Sequence, residues 1–206
     1  MNQLQNNSAD IFEKTTDSDN KVSGGCCPVF HPEKWDNQTY HWDNKKFIKA
    51  SVPTIFHIPF PPMIGKKITK MMRMAEGSHC LDENMEDVLL LFTDPHPFRS
   101  EMYLSVTSNV PEAYNTKLSG TFQSKVFEGS YNSIPKFIKE MNLTLLKEEK
   151  NANKYYVHYA YCPRCAKEAG HNYIVLFAEI QKDGTNNIAY NQSENILVTM
   201  PKNIIS

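Results

Sequence analysis

Two amphipathic helical segments, each set among strand-like runs in the same order, constrain this chain more than any other feature. In "PPMIGKKITKMMRMAEG", Met63, Ile64, Ile68, Met71, Met72 and Ala75 recur at helical spacing and Gly77 supplies a stop. In "NSIPKFIKEMNLTLL", Ile134, Phe137, Ile138 and Met141 share one face. The strand-like "FIKASVPTIFHIPF" precedes the first helix, and "DVLLLFTD" and "SEMYLSVTS" follow it. "LSGTFQSKVFEGSY" precedes the second, and "KYYVHYAY" and "NYIVLFAEI" follow it. The order strand-helix-strand-strand therefore occurs twice, over about residues 46–108 and 117–181. Two such units join their sheets, so the expected fold is α+β: an antiparallel sheet with both helices on one face.

Outside this core, Met1–Gly25 is polar and poor in aromatics and reads as a disordered tail. Lys182–Ser206 reads as a C-terminal tail, either a late strand on the core or a mobile segment. The lead-in "CCPVFHPEKWDNQTYHWDNKKF" mixes turn formers with the aromatic anchors Phe30, Trp35 and Trp42, and reads as packed but irregular.

Cysteine placement is the sharpest chemical signal. There are five: Cys26 and Cys27 adjacent, Cys80 alone, and Cys162 and Cys165 in "YCPRCAKEAG". An odd number does not suit a closed disulfide framework. The first residues lack a basic start followed by an apolar stretch, and "DVLLLF" is too short to span a bilayer, so the expected setting is cytoplasmic, with reduced thiols and no membrane partner. Three readings stay open. In the first, Cys26, Cys27, Cys162 and Cys165 together hold a structural zinc, with one lead-in cysteine plus His31 as the competing half-site. In the second, the thiols only pack, which is the expectation for Cys80. In the third, the C-x-x-C pair runs redox chemistry, against which "CAKEAGHN" offers at most one helical turn.

A net charge of −1 argues against nucleic acid as a partner. Phosphate-binding loops, a G-x-S-x-G elbow and an H-E-x-x-H helix are all missing. Candidate catalytic groups are carboxylates with aromatic or imidazole neighbours. Glu101 and Tyr103 share one strand face; they suit general base chemistry or a cationic ligand, or else form a solvent-facing glutamate beside a rim tyrosine. His57 in "IFHIPF" and Glu128 in "VFEGSY" occupy equivalent strand ends, either as a water-activating pair or as separate structural groups. Tyr155, Tyr159 and Tyr161 alternate onto one face, which either walls a pocket for a planar or cationic ligand or packs against Trp35 and Trp42.

"GTFQSKVFEGSYNSIPKFIKEM", with the doubled element order, resembles GyrI-like small-molecule-binding domains. "CCPVFHPEKWD", "FHIPF", "SEMYLSV", "FEGSY" and "CPRCAKEAGHNYIVLFA" resemble a narrower bacterial group labelled hydrolase. The resemblance covers roughly Cys26 to Gln181 and implies one domain with a ligand cleft between the two repeats. GyrI-like relatives either bind small organic molecules or hydrolyse strained ones. The expectations are therefore a small-molecule binder with hydrolytic activity, a non-enzymatic binding module with a zinc knuckle, or a thiol redox protein.

Overall fold

The computed structural model describes residues 26–55, 58–59 and 61–181; both tails and His57 lie outside the described residues. The elements run α1 (Pro32–Trp35), β1 (Thr39–Ile55), β2 (Ile58–Pro59), α2 (Pro61–Gly77), β3 (Leu90–His96), β4 (Arg99–Ser105), β5 (Asn115–Glu128), α3 (Ile134–Lys147), β6 (Ala152–Tyr159), α4 (Pro163–Ala169) and β7 (Tyr173–Ile180). Fold class is α+β, and every strand pairing is antiparallel.

The sheet is not open. Its order is β1-β4-β3-β6-β7-β5, and β5 pairs again with β1, so six strands close into a barrel with β2 appended to β1. Closure leaves no long unpaired edge among these six strands. The long strand β1 makes it possible: Thr39–Ile48 pair with β5 while Phe47–Pro53 pair with β4. A register shift between Trp42 and Lys45, with Asn44 at φ 52°, bends the strand where it changes neighbours. The lead-in is thus less irregular than expected, because Thr39–Lys45 already belong to β1 and Pro32–Trp35 form a helical turn.

Side-chain alternation divides the strands into two faces. Phe47, Leu91, Tyr103, Phe122, Tyr156, Val175 and Phe177 fill the barrel with Trp35. On the other face, Ile48, Met102 and Leu104 meet Ile64, Met71 and Ala75 of α2. There too, Val157, Ile174 and Leu176 meet Ile134, Phe137, Ile138, Met141 and Leu145 of α3. Each fully buried residue of this size contributes about 1.5–3 kcal/mol. The expected apolar stripe of α2 includes Met63, but that side chain is 42% exposed; Ile68 and Met72 are only partly covered. Cys80 packs in the α2 core, its sulfur 3.0 Å from the Ser108 hydroxyl.

Gly129 directly follows β5 at φ 154°, and a Cβ there would sit 2.9 Å from the Phe137 ring. That ring stacks on Phe127 at 4.6 Å and has little room to yield. Gly129→Ala is expected to lose about 1–3 kcal/mol of stability by urea unfolding. Gly65→Ala, at an open position on α2, should be neutral or stabilising in the same assay.

Candidate active site and metal centre

The four sulfurs of Cys26, Cys27, Cys162 and Cys165 lie within 4.8 Å of one another. Cys26 Sγ is 3.6 Å from Cys162 Sγ and 3.7 Å from Cys165 Sγ. A tetrahedral ion with metal–sulfur bonds of about 2.3 Å spaces its sulfurs about 3.8 Å apart. Backbone amides point at the sulfurs: Cys26 N–H donates to Cys165 Sγ (3.3 Å), Cys162 N–H to Cys27 Sγ (3.3 Å) and Cys165 N–H to Cys162 Sγ (3.5 Å). Burial raises the Cys26 and Cys27 thiols, and their sulfur neighbours add to it. Burial also opposes ionisation of Cys165, but hydrogen bonds from Cys27, Cys162 and Cys26 bring it down to about 7. Crowded thiolates repel one another, and a central cation reverses that balance. The donor set fits a metal ion, with the adjacent pair Cys26–Cys27 placing both sulfurs in the cluster. His31 is outside the sulfur cluster and pairs with Glu33 at 3.3 Å.

The segment after Cys162 forms a longer helix than its sequence suggests. Cys162 caps α4, Pro163 occupies its first turn, and Gly170 closes it at φ 75°, giving seven helical residues. Cys165 is fully buried on that helix.

A cavity of about 970 Å³ adjoins the sulfur cluster. It lies at the β3–β6 seam joining the two halves of the barrel, where only Leu91↔His158 and Phe92↔Val157 pair. Leu90, Phe92 and Leu104 line it from the sheet, Ile64, Ile68 and Met72 from α2, and Phe30, His31 and Trp35 from the lead-in. Tyr131, Tyr159, Tyr161, His158 and Asn172 add polar groups to a mostly apolar wall.

His158 explains the short seam. Its Nδ1 faces the backbone of Leu90, 3.4 Å from the N–H and 3.2 Å from the carbonyl, in place of further strand pairing. Its other ring nitrogen has no hydrogen-bond partner among the described residues. Burial pushes the imidazole down to about 4, only partly opposed by the Leu90 contact, so it is neutral at pH 7. Above about 6.5 the folded and unfolded chains bind the same number of protons at this residue. Between about 6.5 and 4 the unfolded chain takes up a proton that the folded one refuses, so stability falls with pH there, by up to about 3 kcal/mol. His158→Asn, which preserves a polar atom toward Leu90, should remove that component from urea unfolding curves compared at pH 7 and pH 4.

The sequence-derived candidates divide between this cavity and other places. Trp35, Tyr159 and Tyr161 line the cavity, as do Cys26, Cys27 and Cys162. Trp42 lies against Phe122 in the barrel at 4.1 Å, and Tyr155 packs beneath α3 with its hydroxyl donating to Asn142 (2.6 Å). Neither Trp42 nor Tyr155 is among the residues lining the cavity. Glu101 and Tyr103 are bonded to each other, the phenol donating at 2.7 Å, but face the barrel interior. Glu101 is 4% exposed and ion-paired with Lys49 (2.8 Å) and Arg99 (3.4 Å). Burial disfavours its charge, yet the Lys49 and Tyr103 contacts hold it below the usual carboxylate range. Glu128 is exposed at the end of β5, opposite Tyr173. His158 and Asn172 are site residues that sequence patterning did not single out.

A family model described as bacterial hydrolase matches residues 16–180. The chain belongs to that family. Residues 26–35, β3, β6 and α4 of this bacterial hydrolase family member all fall within the match, so the sulfur cluster and the cavity are both parts of the family's shared region. A search of curated proteins finds no match. Among the described residues, no helix is long and apolar enough to cross a membrane.

Proposed function

We propose that the cavity is the active site of a hydrolase acting on a small organic molecule with a largely apolar body, and that the four cysteines hold a structural zinc ion. The observation that carries this reading is the large, partly open and mostly apolar cavity with a neutral imidazole on its wall, in a chain whose family is described as bacterial hydrolase. His158 is the base in this reading. Of the other carboxylate, imidazole and thiol groups there, Glu86 lies 3.9 Å from Lys34, His31 pairs with Glu33, and the thiols belong to the metal cluster. An unprotonated ring nitrogen accepts a proton from the attacking water, and donors nearby on the wall orient the substrate.

Zinc with four thiolates is closed to substrate and serves structure. It ties the lead-in to α4, which places Phe30, His31 and Trp35 as one wall of the cavity. The redox reading draws support from Cys162 capping α4 and from the lowered Cys165 thiol. Against it, Cys165 has no exposed surface for thiol exchange.

The test is a panel of aryl esters, lactones, amides and epoxides assayed against the wild-type protein and Gly65→Phe. Gly65 lines the cavity from α2 with nothing within 4 Å of an added Cβ, so a side chain can start there and its ring obstruct the site. Turnover by wild type that falls at least tenfold in Gly65→Phe supports the reading. No turnover, or turnover untouched by the substitution, rejects it.

A further inference from the structure

Buried polar side-chain atoms without a hydrogen-bond partner are rare in folded proteins, and each one costs stability. Here three of them belong to two residues that line the same cavity: the Tyr159 hydroxyl and both amide atoms of Asn172, each with almost no open surface. Asn172 is only 9% exposed. Tyr159 is held between the rings of Phe92 (5.2 Å) and Tyr131 (5.0 Å). The Tyr131 hydroxyl donates to the Tyr161 carbonyl at 3.1 Å, and its oxygen is the nearest acceptor to the Asn172 amide, without reaching hydrogen-bond geometry. Turned toward the cavity, the carboxamide presents a donor and an acceptor side by side, with the unpartnered Tyr159 phenol on the same wall.

From this arrangement we propose that the site takes neutral lactams, whose cis-amide edge pairs with the Asn172 carboxamide while an apolar body fills the rest of the cavity. A lactam ring fixes its N–H and C=O on one edge, matching the Asn172 carbonyl and NH₂ in two parallel hydrogen bonds. A trans secondary amide, as in a peptide, presents those groups on opposite edges and cannot make both bonds. The Tyr159 hydroxyl supplies a further donor toward the lactam carbonyl. The body meets Ile64, Ile68, Met72, Leu90 and Phe92. This rests on the hydrolase reading only for ring opening. There the oxygen of water bonds to the carbonyl carbon, the ring C–N bond breaks and the nitrogen takes a proton, giving an open-chain amino acid.

The experiment uses the full chain and three matched probes: a phenyl-substituted pyrrolidinone, its N-methyl derivative and the corresponding butyrolactone. Affinity is measured calorimetrically and ring opening by chromatography. The lactam is expected to bind at least about tenfold more tightly than either analogue, since each analogue leaves a buried amide atom of Asn172 unpaired. Asn172→Leu should erase that preference while leaving the apo protein as stable as wild type or more so, because an unpaired buried amide is replaced by a hydrocarbon of similar shape. Equal affinity for the three probes, no binding of the lactam, or a marked loss of apo stability in Asn172→Leu overturns the assignment. Lactam preference without an opened product leaves the recognition standing and rejects ring opening. Lactone opening without lactam preference does the reverse.

Discussion

Cys165→Ser is expected to purify without zinc, to lose at least about 3 kcal/mol of unfolding free energy, and to lose turnover together with the cavity wall. The wild-type chain should carry close to one zinc by elemental analysis after purification under reducing conditions without added metal. Cys165 is the most exacting of the four positions because it has no exposed surface and its sulfur accepts the Cys26 amide. The lead-in has further ties to the body of the protein, but they are few. Phe30 N–H donates to the Tyr161 hydroxyl (3.2 Å), Ser124 donates to the Trp35 carbonyl, and Val126 N–H donates to Asp36 (2.9 Å). The last two anchor its end near β1, whereas Cys26 and Cys27 depend on the sulfur cluster. Breaking the cluster should therefore release residues 26–31 first and open Trp35, now 6% exposed, to water. A red shift of tryptophan emission reports that step. Cys80→Ser is the control: its sulfur packs against α2 far from the cluster in sequence, and it should retain full zinc. Zinc-free wild type, or Cys165→Ser with unchanged stability, would leave the cysteines as packing groups.

How much of this was legible in the sequence depends on the range of the signal. Local periodicity located α2 and α3 and the strand runs, because a helix stripe and strand alternation are set by neighbouring residues. Barrel closure was not legible, since it rests on β1 meeting β5 about 70 residues later in the chain (Lys46↔Lys117, for example). "DNKK" looks like a turn in isolation, yet it sits at the bulge that lets β1 serve two partners. The cysteine pairs were legible from spacing and composition, though the choice between Cys27 and His31 required the geometry. Alternation correctly placed Glu101 beside Tyr103, but not Lys49 across from them on β1, which holds the carboxylate in an ion pair. The tyrosine face of β6 was split by its surroundings: Tyr155 went under α3 and Tyr159 into the cavity. Asn172 carries no local signal, because its burial comes from α4 and β5 folding around it. Gly129 N–H, for instance, donates to its backbone carbonyl at 3.0 Å.

His158→Asn is expected to lower kcat by about 10²- to 10⁴-fold on whichever substrate the wild type turns over, with little change in KM. Asparagine places an amide atom near the position of Nδ1, so the contact with Leu90 and the β3–β6 seam should persist. What it removes is the second ring nitrogen, the atom assigned to take the proton from water. A purely structural role would give a different result, in which stability and activity fall together and substrate affinity weakens. The pH profile provides the independent check. With the imidazole pushed down to about 4 by burial, wild-type kcat/KM should rise through that region and stay flat from about pH 5 to 9. In His158→Asn the residual rate should lose that acid limb and instead climb with hydroxide. A wild-type profile with its midpoint near 6.5 would mean that water reaches this histidine freely, and a variant with unreduced kcat would transfer the base role to another group on the cavity wall. Glu86 would be the first to examine, since its tie to Lys34 at 3.9 Å is the looser of that lysine's two, the other being Asp87 at 2.5 Å.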